Sequence, residues 1–114
     1  MNTYMLLFWA PTKILAMPRS PEQERESGAA WHSWQEALRS AGHLVTGAQL
    51  DGAGRCVAGA KKTVTDGPFG GDHVMGGYFV VTASSLEQAT DLAKGCPVLR
   101  NGGTVEVRPI MNTD

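Results

Sequence analysis

Few side chains in this sequence are able to move protons or hold ions, and most of them sit in turns or beside aromatic residues. Asp66 opens the segment Asp66-Gly67-Pro68-Phe69. Gly67 permits close backbone approach, Pro68 biases Gly67 toward extended backbone, and Phe69 supplies an apolar wall beside the carboxylate. Those are conditions for a general base or for a carboxylate that orients a ligand. The same segment suits an Asx-type turn, in which the Asp66 side chain accepts a hydrogen bond from a nearby backbone N–H and does no chemistry. His32 follows Trp31 and stands one helical turn before Glu36. It either faces a cleft and exchanges protons there, or pairs with Glu36 on a half-exposed helix face. His73, beside Asp72, reads as a lid residue over a ligand or as part of a solvated turn. His43, just after Gly42, is placed to cap the last carbonyls of a helix.

Metal and nucleotide chemistry find little support. The three histidines and two cysteines never fall at i, i+3 or i, i+4 spacing on one element, so no metal site is expected. Gly70-Gly71 and Gly76-Gly77 open no phosphate-binding helix, and no cofactor is implied. Ten basic residues against eleven acidic ones leave no field to favour nucleic acid or an anionic membrane, and Lys61-Lys62 is too small a patch to change that. Cys56 and Cys96 make no disulfide framework, which fits a reducing compartment. The apolar run Tyr4–Ala10 is too short to span a bilayer and has no basic residue before it, so a soluble, cytoplasmic protein is expected.

The elements that must position these residues can be read in order. The 114 residues make one domain, and 42% hydrophobic with 18% charged residues suffices for a core. Tyr4–Trp9 reads as a buried strand, and Pro11–Ser20, bracketed by Pro11 and Pro18 and without a period, as a loop. Ser20-Pro21-Glu22-Gln23 is a helix start, and Gly42 is its stop. Ala30, Trp31, Trp34, Ala37, Leu38 and Ala41 form an apolar stripe on that helix. Gly28 weakens its first half. Leu44–Leu50 reads as a strand, Arg55–Ala58 and Lys62–Thr65 as a hairpin, and Asp66–Asp72 as a loop, with Gly70–Val74 expected to be the most mobile internal segment. Gly77–Thr82 is the strongest strand. Ser84-Ser85 then cap a helix through about Lys94, with Leu86, Ala89, Leu92 and Ala93 facing the core, and Thr104–Pro109 is the last strand. Strand, helix, strand, repeated, is the ferredoxin-like split βαβ order of an α+β fold, here with a central hairpin insertion.

Two helices cover one face of such a sheet. Yet Tyr4, Leu6 and Phe8 point one way while Met5, Leu7 and Trp9 point the other, and Tyr78/Val80 against Phe79/Val81 repeats the pattern. Both faces are apolar, apart from Glu106 and Arg108 on the last strand. A homodimer enclosing a partly polar cleft is therefore expected.

Tyr4-Met5-Leu6-Leu7, Leu38-Arg39-Ser40-Ala41-Gly42, Thr65-Asp66-Gly67-Pro68-Phe69, Gly76-Gly77-Tyr78-Phe79, Cys96-Pro97 and Val105-Glu106-Val107-Arg108-Pro109 together resemble the YCII-related family, in its branch named for the Asp-Gly-Pro-Phe motif. The resemblance covers nearly the whole chain. It implies a dimeric ferredoxin-like, barrel-like α/β assembly with a cleft between sheet and helices. It also implies an acid–base pair, with the family's aspartate falling on Asp66 and a histidine of its YCII branch on the first helix, where His32 is the candidate. The segment Gly70–Met75 is shorter than in that branch.

Two functions follow as expectations. The first is a lyase- or hydrolase-like enzyme in which Asp66, helped by His32, moves a proton on a small cyclic or aromatic substrate held by Trp34, Phe69, His73 and Tyr78. The second is a non-catalytic module that binds a ligand or a protein partner, linked through the resemblance to transcription by sigma factors. A carboxylate open to a pocket near a histidine favours the first, and one satisfied by its own surroundings favours the second.

Overall fold

A computed structural model describes residues 2–67 and 71–111, the side chains of Leu15 and Ala16 aside. Strand β1 (Asn2–Pro11) leads into a short helix α1 (Thr12–Ala16) and the long helix α2 (Pro21–Ser40). Strand β2 (Leu44–Gln49) follows, then the strands β3 (Arg55–Ala58) and β4 (Thr63–Asp66). Strand β5 (His73–Ala83), helix α3 (Leu86–Ala93), a 3₁₀ turn at Pro97–Asn101 and strand β6 (Thr104–Pro109) complete the order. The sheet runs β2-β5-β1-β6 with every neighbouring pair antiparallel, while β3 and β4 form a separate hairpin. With the hairpin set aside, each helix crossover joins two parallel strands that flank a third, consistent with a split βαβ repeat.

Local chemistry fixes the ends of the helices. The Ser20 side chain accepts from the Gln23 N–H and the Gln23 side chain accepts from the Ser20 N–H, a reciprocal box with Pro21 at the first helical position. At the other end Gly42 takes a left-handed φ of 81°, the Gly42 N–H donates to Arg39 and the His43 N–H to Leu38. That pair of bonds is a Schellman stop, so His43 caps through its backbone. Its ring does something else: Nδ1 lies 2.8 Å from the Thr82 carbonyl, to which it donates, tying the helix exit to β5. Helix α2 runs through Gly28 unbroken, because the box at its start and the packing of Trp31, Trp34 and Leu38 outweigh the roughly 1 kcal/mol that one glycine costs.

Two boundaries and one buried face differ from the expectation. Pro11–Ser20 contains α1, whose Thr12 donates through its N–H to the Asp72 carbonyl and through Oγ1 to that of Gly71. These bonds come from residues sixty positions away and leave no local pattern. Strand β5 begins at His73 rather than Gly77, so His73 and the buried Val74 belong to a strand paired with Pro11 and Ala10 and not to a lid. Leu86 is 47% exposed, and only Ala89 and Ala93 of the α3 stripe are buried, because α3 packs on the core through these small i, i+4 residues with Leu92 half-buried beside them.

The core lies between the sheet and the helices. Tyr4, Leu6, Phe8, Phe79, Val81 and Ala83 face Leu38, Ala89, Ala93 and Cys96, with Leu6 and Val81 fully sequestered. The opposite face, carrying Met5, Leu7, Trp9, Tyr78 and Val80, is half-buried and, among the described residues, has no helix on it. Trp9 Nε1 there donates to Glu106 Oε1 at 3.2 Å, and Arg108 stands 3.8 Å from the other oxygen of the same carboxylate. Among the described residues, no helix is long and apolar enough to cross a membrane.

Candidate aromatic pocket

The helix-side core contains a tight group of four rings. Phe8 meets Trp31, Trp34 and Phe79 edge-to-face at centroid separations of 5.0, 5.7 and 5.1 Å, and Trp34 stacks on Phe79 at 5.2 Å with 15° between planes. Such pairs contribute about 0.5–1.5 kcal/mol each beyond area burial, so the cluster holds its shape. One side of it is open. A pocket of about 290 Å³ lies against Phe8, Trp31 and Phe79, with Gly47, Ala48, Gln49, Gly76 and Gly77 opposite and Gln35 of α2 at its margin.

Glycines shape that opposite wall. A Cβ on Gly47 would fall 2.3 Å from Cδ1 of Phe79 and 2.7 Å from the Tyr78 carbonyl, so only glycine lets the ring lie flat on strand β2. A Cβ on Gly76, by contrast, meets nothing within 4 Å. The lining is rings, peptide backbone and two carboxamides. Among the described residues lining it there is no ionisable group, and its hydrogen-bonding capacity comes from Gln35, Gln49 and exposed peptide groups.

A family model, the YCII-related domain, matches residues 4–114. The chain belongs to the YCII-related domain family. No curated protein matches it.

Within this YCII-related domain the expected site residues are dispersed. Asp66 ends β4 on the hairpin, where its Oδ1 faces Arg55 Nε at 3.5 Å and both side chains are open to solvent. The Gly67 N–H donates to the Gly54 carbonyl and closes the hairpin there. His32 is exposed on α2 beside Trp31, and no hydrogen bond or ion pair among the described residues joins it to Asp66; Glu36 pairs with Arg39 instead. Trp34 is committed to the core, its Nε1 donating to the Leu92 carbonyl at 3.3 Å. His73 lines a separate hollow with Lys13, Asp72 and Asn101. Tyr78 alternates with Phe79 and so stands on the face without helices, opposite Leu7 of β1 and Ala48 of β2. Phe69 lies outside the described residues.

Phe8, Gln35, Gly47, Gln49 and Gly76 were not singled out as site residues from sequence. One signal was present: Gly47 interrupts an otherwise plausible strand, and a strand glycine marks a place where something must approach the backbone closely. Elsewhere, burial of Cys96 behind α3 raises its thiol pKa to about 11, against a weaker opposing hydrogen bond from the Val98 backbone.

Proposed function

We propose that this YCII-related domain binds a small, uncharged, planar ring compound in the pocket between α2 and the β2–β5 edge. The lining carries this reading: an aromatic wall faces a flat glycine-rich peptide wall, with carboxamides at the margin and no charge to compensate an ionised ligand. Burying an unpaired charge there is costly, whereas an amide, lactone or phenol can lie against the rings and exchange hydrogen bonds with Gln35 or Gln49. The exposed, ion-paired setting of Asp66 supports binding over acid–base chemistry within one chain. The binding unit in this reading is a ferredoxin-like homodimer that covers the apolar face carrying Met5, Leu7 and Val80, and Leu7→Lys is expected to disperse it.

The test uses one ring in three charge states. Benzamide, benzoate and benzylamine are titrated while the indole and carboxamide NMR signals of Trp31, Gln35 and Gln49 are followed. Benzamide is expected to shift those signals, and benzoate to bind at least about tenfold more weakly. Gly76→Val fills open space in a strand, so it is expected to leave the fold intact and abolish the shifts. Benzamide shifts that survive Gly76→Val, or that appear only elsewhere, would defeat the assignment.

A further inference from the structure

We infer that the β3–β4 hairpin is an arm that clasps a second copy of this chain and lays Val57 and Val64 on it. The inference rests on the dimer proposed above and adds to it the element that reaches across.

Every residue of both strands is exposed, and neither strand packs substantially on any other element. Val57 and Val64 are cross-strand partners, 65% and 56% exposed, so among the described residues the hairpin's aliphatic pair finds little cover. A two-stranded ribbon standing alone in water is marginal. The arm also distends the molecule: the radius of gyration is 15.6 Å, against about 13 Å for a compact chain of this length.

Two observations say what covers it. The arm springs from the rim of the face without helices, since its root, Leu50–Arg55, encloses a hollow of about 460 Å³ with Trp9 and Met75 of that face. Whatever covers the face therefore meets the arm. The area points the same way. Four strands at about 4.8 Å spacing and roughly 25 Å of mean strand length give a flat footprint of about 500 Å². A standard interface buries about 800 Å² of accessible surface per partner, and the arm extends what the face offers toward that figure. Under two-fold symmetry each copy contributes one arm and receives one, so the arm contact is made twice without any further element.

The experiment is light scattering over a dilution series on the wild type, on V57S/V64S and on Leu7→Lys, with amide hydrogen exchange of residues 55–66 at high and low protein concentration. Both valines are exposed in the single chain, so V57S/V64S is expected to fold, which the unchanged circular dichroism of the dilute protein checks. The expected result is a wild-type dimer whose dissociation constant rises at least about tenfold in V57S/V64S, with arm amides protected only at the concentration where the dimer forms. A dimer dispersed by Leu7→Lys but indifferent to V57S/V64S, with arm exchange independent of concentration, overturns the arm and leaves the sheet-face reading standing. A wild-type monomer at high micromolar concentration overturns both.

Discussion

The four-stranded sheet and the β3–β4 hairpin are built from the same antiparallel ladder, yet one hides its side chains and the other hides none. In the sheet, Leu6 and Val81 are wholly removed from water, and the apolar residues of the helix side join one cluster with Leu38, Ala89, Ala93, Trp31 and Trp34. In the hairpin, Val57 and Val64 pair across the strands and still face solvent. Both are antiparallel ladders, with β1 and β5 paired on both edges and each hairpin strand on one, and such bonds contribute only modestly net of their exchange with water. Burial separates the two regions, and substitutions should separate them in the same way.

The largest effect is expected at Leu6. Leu6→Ala leaves a cavity between Phe79, Val107 and the helices, and should cost about 2–5 kcal/mol in chemical denaturation. Val57→Ala, the matched substitution on the arm, should change the stability of the dilute protein by less than about 0.5 kcal/mol. Equal losses at the two positions would show the arm to be packed in its own chain, and the contrast would fail.

The two thiols repeat the contrast at intermediate size. Cys56 is exposed on β3 and Cys96 is buried against the core. Burial lifts the Cys96 thiol from an ordinary 9.0 to about 11, so the folded chain keeps its proton where the unfolded chain has lost it. The stability linked to this shift is fully present below pH 9 and is lost as pH rises through 11, amounting at most to about 3 kcal/mol. Denaturation midpoints should fall between pH 9 and 11 in the wild type, with a shallower fall in Cys96→Ala. A disulfide reagent at neutral pH should modify Cys56 at once and Cys96 only on unfolding.

Much of the sheet was legible because its signals are local. The Ser20 box, the Gly42 stop, the Ser85 cap and the alternation of β1 and β6 each lie within a few residues of the boundary they set. Helix α1 and the early start of β5 were not, since both depend on Thr12 reaching Gly71 and Asp72 across the fold. The pocket was half legible. Trp31 stood out on its stripe and Phe8 in its apolar run, but their meeting over Gly47 is a product of strand order, which no spacing encodes. For Asp66 the turn signals located the hairpin correctly without saying whether it docks.

Asp66 therefore carries the smallest and most discriminating prediction. Its ion pair with Arg55 spans 3.5 Å, and the two side chains are 86% and 75% exposed. Water screens such a pair, and its two long side chains lose freedom to hold it, so exposed pairs contribute a few tenths of a kcal/mol. In dilute protein Asp66→Asn should accordingly shift the melting temperature by about 1–2 °C at most and leave benzamide affinity unaltered. Association changes the arithmetic. If a second copy lies over the arm, it strips water from the pair, and removing one charge leaves Arg55 poorly compensated in the interface. The same substitution should then weaken the dimer while barely touching the monomer. Loss of benzamide binding in Asp66→Asn would instead place the carboxylate at the pocket, and would mean that the arm of one copy reaches the ligand of the other.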